Sequence, residues 1–350
     1  MIAYSIAETK NKKGEEIKLL KSHNYNYSFN RTNGVFIRFG ATLNDDPQYS
    51  AIGPEILDIE LSSICSRACN WCYKSNTAKG KNMSYSTFVE LFKKFPDTLT
   101  QAAFGIGDIS ANPDLFKIMQ FCRDNKIIPN ITINGDNLTD EYADNLARLC
   151  GAVAVSNYGF ETCFNAVQKL TDRNMKQVNI HALLCEETYD KCFELMKLSK
   201  EDKRLEKLNA IVFLWLKPKG KRNKLHQLTS LDKYKKLVDY AFTNNVRIGF
   251  DSCGCNMFLR AIKDRIDYKS LEKMAEPCES CLFSGYINVD GMFFPCSFCE
   301  NEINWEKGID VLKTRHFLAN IWRGKKTNEF RNKLLNNNRN CILFKIGSNE

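Results

Sequence analysis

The sequence predicts an α/β protein: a partial (β/α)6 TIM-like barrel with a small N-terminal β extension and a C-terminal cysteine-rich domain made of a β-hairpin and helices. Three observations carry this. From residue 55 to about 250, short apolar runs alternate with helical stretches, as a parallel sheet requires because each parallel strand needs a crossover to reach the next. Upstream, two strand-like runs meet at Asn33-Gly34, a strong short-range hairpin signal. Downstream, the last hundred residues hold seven of the 15 cysteines. The boundaries that follow are 1–54, 55–250 and 251–350.

In chain order, Tyr25–Phe29 and Gly34–Phe39 form the strands of the N-terminal extension, expected either to cover an open barrel edge or to help dock a substrate. Barrel strands are expected at 56–61, 100–106, 128–134, 152–157, 176–184 and 209–216. Ile56-Leu-Asp-Ile-Glu-Leu61 shows the alternation of a strand. Between strands, a helix begins near Ser84 and Pro96 ends it; Asn112-Pro113 supplies a cap and a first-turn proline; Gly151 closes a further helix. Six strands leave the barrel open. In such folds ligands gather at the carboxyl ends of the strands, so the loops starting at Cys65, Gly105, Asn134, Ser156, Leu184 and Lys217 should converge on one mouth.

Composition narrows the class. With 43% hydrophobic and 26% charged residues the chain reads as an ordinary globular protein. Its longest apolar run, Ala210 to Leu216, fits one buried strand and falls far short of the ~20 residues that cross a bilayer. Met1 to Lys13 lacks the apolar core of a signal peptide, so a cytoplasmic location without a membrane partner is the expectation. The net charge of +9 permits an anionic partner, but 41 acidic residues are interleaved with the 50 basic ones. Reduced thiols with metal sites explain the cysteine distribution better than disulfides do, and Cys122, Cys150, Cys163, Cys185 and Cys192 read as small buried apolar residues.

The chemistry is concentrated in Cys65-Ser-Arg-Ala-Cys69-Asn-Trp71-Cys72, directly after the first barrel strand. Three thiolates spaced by three and then two residues suit a four-iron cubane with one iron open to a ligand. Zinc is the competing reading; it would need a fourth ligand to close the tetrahedron, and the nearest histidine is His23. This loop resembles the signature of the radical S-adenosylmethionine (radical SAM) superfamily. Phe104-Gly105-Ile106-Gly107-Asp108 is similar to the family's glycine-glycine-acid segment, with Ile106 separating the glycines and Asp in place of the usual Glu. By resemblance, Gly105, Gly107 and Asp108 hold the amino end of S-adenosylmethionine, Asn134 lies at the third strand end, Ser156 and Asn157 lie where a polar residue meets the cofactor ribose or carboxylate, and Trp71 lies near its adenine. His181 reads as a hydrogen-bonded structural residue.

The C-terminal stretch, with Gly291-Met-Phe-Phe-Pro-Cys296, Ile321-Trp322 and Cys341-Ile-Leu-Phe344, resembles the SPASM or twitch extension of that family, which carries auxiliary iron-sulfur clusters. The number of cysteines after Cys296 fits one cluster. By resemblance its ligands are Cys253, Cys278, Cys296 and Cys341, leaving Cys255, Cys281 and Cys299 as spares or replacements. Spacing alone also allows a zinc site on Cys278, Cys281, Cys296 and Cys299, two pairs each separated by two residues.

The resemblance implies an enzyme that reductively cleaves S-adenosylmethionine to a 5′-deoxyadenosyl radical, which abstracts hydrogen from a substrate. A flavodoxin or ferredoxin would be its reductant. Extensions of this kind point to a peptide or protein substrate. The rival is radical modification of a nucleotide or nucleic acid, suggested by the basic loop Lys217-Pro-Lys-Gly-Lys-Arg-Asn-Lys224 at the mouth, although that loop lacks the interleaved aromatics of single-strand binders. Asp251 and Tyr158 are polar groups near the mouth, and the sequence assigns no catalytic acid or base.

Overall fold

In the computed structural model, which describes residues 3–302 and 304–344, the architecture grows from one strand. β5 (Ile56–Glu60) follows an N-terminal meander of β1 (Tyr4–Lys10), β2 (Glu16–Ser22), β3 (Asn26–Asn30) and β4 (Phe36–Phe39). From β5 the chain alternates α1 (Tyr85–Phe92), β6 (Gln101–Gly105), α2 (Leu115–Asp124), β7 (Ile128–Ile133), α3 (Asp140–Leu149), β8 (Val153–Ser156), α4 (Phe160–Thr171), β9 (Val178–Leu184), α5 (Tyr189–Glu201) and β10 (Ala210–Trp215). All six barrel strands lie where the apolar runs place them, and each pairs in parallel with the next. After α6 (Leu231–Thr243), a short β11 (Ile248–Phe250) adds a seventh parallel strand beside β10.

The helix punctuation is partly different from expectation. Ser84 caps α1, accepting the Thr87 amide at 3.1 Å. α2 starts two residues later than Asn112-Pro113 suggests. Asn112 instead points inward, donating to the Leu61 and Met83 carbonyls at 2.8 and 2.9 Å, which ties the end of β5 to the start of α1. Gly151 follows a helix that ends at Leu149, but its role is space: a Cβ there would sit 2.5 Å from the Ile128 side chain.

The N-terminal extension has four strands rather than two. Its first strand was not legible because most of it is exposed and carries no buried alternation. Neither does it cover a barrel edge. Lys18 donates to the Leu99 carbonyl, Tyr27 to that of Thr98 and Arg31 to that of Lys126, all just ahead of the strands that follow. The meander therefore closes the amino-terminal end of the barrel, opposite the mouth, and supplies none of the residues that line the cavity there.

The free edge of β5 is taken by the C-terminal region. After α7 (Cys255–Ile262) and α8 (Tyr268–Glu272), β12 (Ser284–Ile287) pairs parallel with β5, Tyr286 opposite Asp58. β13 (Met292–Phe294) and β14 (Ile309–Asp310) continue antiparallel from it, giving one ten-stranded sheet in the order β11-β10-β9-β8-β7-β6-β5-β12-β13-β14. The cysteine-rich region thus extends the barrel's own sheet. Arg38 on β4 locks the three parts together through Glu55 at 3.2 Å, Glu276 at 2.6 Å and Glu279 at 3.0 Å. α9 (Lys325–Asn336) closes the described fold and turns Arg331 inward to the Cys281 carbonyl.

The β5–β12 seam is tight at Gly285, where an added Cβ would lie 2.5 Å from the Phe293 ring. Gly285→Ala is expected to lower stability by roughly 1–3 kcal/mol through overpacking, read as a lower urea midpoint at unchanged slope.

Candidate active site

The carboxyl ends of the strands open into a cavity of about 890 Å³. Cys65, Cys69 and Cys72 line one part of its wall, and Cys253, Cys278, Cys296 and Cys341 line another. Cys255, Cys281 and Cys299 are buried away from it.

The triplet loop is held by its backbone. Leu61 N–H donates to Gly105 and Cys65 N–H to Thr77, while Cys72 N–H folds back to Cys69 at 3.1 Å. Ala68 takes φ +43°, reversing the chain so that the first and second thiols face the same side. Two glycines from other loops press on this backbone. A Cβ at Gly107 would lie 2.1 Å from the Ile64 carbonyl oxygen, and one at Gly220 would lie 2.4 Å from that of Cys72. At Gly220, φ +107° excludes a side chain independently. Burial pushes the thiols of Cys65 and Cys69 up from the ordinary value, so a metal that takes thiolates must displace their protons.

Asp108 is not on the cavity wall. Its carboxylate accepts the Ser66 amide at 2.7 Å, and its own amide donates to Ile64, so it braces the triplet loop from below. Asn134 lines the cavity, but its side-chain oxygen closes a turn onto the Asp136 amide at 2.9 Å. Asp136 in turn holds Arg67 through two bonds of 2.6 and 2.7 Å. Gly105, Gly107, Ser156 and Trp71 all line the cavity, with the Trp71 ring 6.2 Å from that of Tyr158. Beside Ser156, the side-chain oxygen of Asn157 is buried without a hydrogen-bond partner at this wall, an acceptor left free for a donor from a bound molecule. His181 also faces the cavity. Burial drops its pKa to about 4, which keeps the ring neutral at physiological pH.

Among the four C-terminal thiols, Cys296 is central. Its charge acts on Cys253, Cys278 and Cys341, and the hydrogen bond it shares with Cys299, sulfur to sulfur 3.4 Å, draws its pKa below the ordinary value. Burial pushes Cys278 up to about 11 and Cys253 well above the ordinary value. Among the described residues, no three His, Cys, Asp or Glu side chains are arranged to hold one metal ion. Both thiol sets stand around open volume, which suits a multi-atom cluster; tetrahedral zinc needs four ligands about 2.3 Å from one point.

The basic loop after β10 faces inward. Lys217 pairs with Asp251, and Lys219 donates to the Phe298 carbonyl and pairs with Glu302 at 3.0 Å. Lys221 N–H reaches Ser75, and Arg222 donates to the carbonyls of Cys69 and Asn76 at 3.3 and 3.0 Å. Three of the charges that suggested phosphate binding, Lys217, Lys219 and Arg222, are therefore engaged in joining the two cysteine regions, with the Lys221 backbone adding a fourth tie. Tyr73 adds to the joint, stacking on Phe298 with centroids 4.2 Å apart. Lys74 does so by pairing with Glu60 at 3.3 Å and with Glu300. Sequence reasoning missed Lys74, Glu60 and Asp58; only the inward register of β5 could have flagged the last two.

The Radical SAM superfamily model matches residues 59–208, which span β5 to the approach to β10. The chain carries a radical SAM domain. It is an iron-sulfur, S-adenosylmethionine-dependent enzyme. No curated protein matches the chain. Among solved structures, Streptococcus suis SuiB bound to S-adenosylmethionine aligns with TM-score 0.63 at 17% identity, over 84% of this chain and 72% of that one. The protein anSMEcpe with bound AdoMet and Cp18Cys peptide aligns with TM-score 0.56 at 19% identity, over 79% of this chain and 82% of that one. These likenesses extend the shared fold well beyond the residues that the radical SAM model matches.

Gly220→Ala should push the Cys72 carbonyl out of place. After anaerobic reconstitution, iron bound per chain is expected to fall while the apo protein keeps its far-ultraviolet circular dichroism.

Proposed function

We propose that this enzyme modifies a peptide or protein by radical hydrogen abstraction, with the triplet loop holding a [4Fe-4S] cluster and Cys253, Cys278, Cys296 and Cys341 an auxiliary one. The observation that carries this reading is the single cavity shared by the two thiol sets, whose lining does not include the three other C-terminal cysteines. That division supports an iron-sulfur auxiliary centre over zinc on Cys278, Cys281, Cys296 and Cys299, because Cys253 and Cys341 line the cavity with Cys278 and Cys296 while Cys281 and Cys299 do not.

When bound, the cluster and S-adenosylmethionine supply a 5′-deoxyadenosyl radical that takes hydrogen from the substrate. The chain's own residues confine and orient. Gly105, Gly107, Asn134 and Ser156 would border the cofactor, the free oxygen of Asn157 would accept from it, and Trp71 would flank its adenine. Asp108 would act one step removed, by fixing the loop that carries Cys65. The apolar wall limits water and competing hydrogen donors, which a reactive carbon radical requires.

A peptide substrate is supported by the fold shared with anSMEcpe, whose structure holds a peptide, and by a cavity large enough for several side chains. The inward turn of Lys217, Lys219 and Arg222 takes away the main support for a nucleic acid.

With dithionite or flavodoxin as reductant, the reconstituted enzyme should form 5′-deoxyadenosine faster with a cognate peptide fraction than with nucleotides or RNA; the opposite order would refute the peptide assignment. Cys69→Ala should abolish S-adenosylmethionine cleavage. A variant with Cys65, Cys69 and Cys72 all replaced by Ala should still bind about four irons per chain at the second thiol set, with little zinc, by metal analysis.

A further inference from the structure

Five carboxylates line the cavity, and the chain supplies a hydrogen-bond or ion-pair partner to four of them. Glu60 has Lys74 at 3.3 Å and the Tyr286 hydroxyl at 3.2 Å. Asp251 has Lys217, Glu279 has Arg38 at 3.0 Å, and Glu187 has the His226 ring and amide. Asp58 has no hydrogen-bond or ion-pair partner among the described residues. Its position explains why: on β5 it stands between Ala103 of β6 and Tyr286 of β12, and the Tyr286 hydroxyl is engaged with Glu60. Ala103 is too small to cover it, so the carboxyl opens onto the void.

Asp58 is exposed to this cavity, whose lining is largely apolar, so a carboxylate there gains from a cationic partner that a bound molecule brings. Lys74 and Lys217 on this wall are engaged by other carboxylates, and Lys191, which also lines the cavity, makes no ion pair with Asp58. We propose that Asp58 is the anchor for a cationic group of the substrate, an ammonium or guanidinium, which sets the class of side chain the cavity accepts. This rests on the radical SAM reading above and adds the substrate's charge to it.

S-adenosylmethionine is also a cation, so two sources of that charge must be separated. The residues proposed to border the cofactor follow β6, β7 and β8, whereas Asp58 lies on β5, next to β12, with Cys296 and Glu279 as the charges acting on it. That geometry favours the substrate. A cation there would sit between the two thiol sets, holding the neighbouring carbon chain within the cavity.

The test uses equilibrium dialysis with the reconstituted, S-adenosylmethionine-loaded full chain. The probes are Nα-acetyl-lysine methylamide and Nα-acetyl-arginine methylamide, with Nα-acetyl-norleucine methylamide as the uncharged match. At least one cationic probe should bind about tenfold more tightly than norleucine, the scale of a charge-assisted hydrogen bond, and Asp58→Asn should bring the ratio near one. Asp58→Glu, which keeps the charge, should keep a cation preference. A ratio near one in the wild type, or an unchanged ratio in Asp58→Asn, overturns the proposal. So does an Asp58→Asn variant whose affinity for S-adenosylmethionine falls by the factor expected for the probes, since the cation would then be the cofactor's. If Asp58→Asn fails to fold by circular dichroism, Ala103→Val, which narrows the space beside the carboxylate, must reduce the cation preference or the proposal fails. Formation of 5′-deoxyadenosine by the wild type tests the underlying reading separately: its absence would remove the enzymatic function while leaving the cation preference measurable.

Discussion

The parallel pairing of β12 with β5 is the constraint on which the rest of this molecule depends. β5 delivers the triplet loop from its carboxyl end, and the strand beside it belongs to the segment that carries Cys278 and Cys296. One ladder therefore sets the distance between two thiol sets that lie some two hundred residues apart in the chain. A slip of a single residue in that register would turn Tyr286 away from the cavity and break its bond to Glu60, and with it the Lys74 network. Gly285 leaves room on this ladder for the Phe293 ring of β13 to pack over it.

Much of the barrel was legible because its strands are buried and bounded by clear turn residues, so apolar runs alone located them. β1 and β2 were not, since a cap over the end of a barrel needs few buried side chains per strand and leaves the charged ones in solvent. The β5–β12 ladder was invisible for a different reason: a register between distant segments leaves no local pattern. At the site, the triplet could be read from spacing, and the four C-terminal cysteines selected from seven by resemblance are the four that share the cavity. Asp108 was read as a cofactor residue because of its place in a motif, yet its carboxylate is taken by the Ser66 amide. The loop from Lys217 to Lys224 misled because clustered positive charge is usually solvated, and nothing in the sequence marks a lysine as one that will donate to carbonyls across a domain seam.

The electrostatic design is uneven. Around the mouth nearly every charge is matched, Arg67 by Asp136, Lys217 by Asp251, Lys74 by two carboxylates. Thiol sets that become anionic on taking up metal gain from fixed amides and buried cations nearby, which stabilise negative charge without exposing it to water. Exceptions among the described residues, the Asn157 oxygen, the Asp58 carboxyl and the Lys191 ammonium, belong to residues that line the same space.

The loop that runs from Lys217 to Arg222 touches carbonyls in both cysteine regions. Any displacement of Cys69 or Cys72 therefore works against the Phe298 carbonyl on the far side through a segment only six residues long. If iron uptake at one thiol set changes the affinity of the other, thermodynamics demands that the influence be equal in the reverse direction. Maturation of the two centres is then one linked equilibrium, in which either metal load can prepare the scaffold for its neighbour.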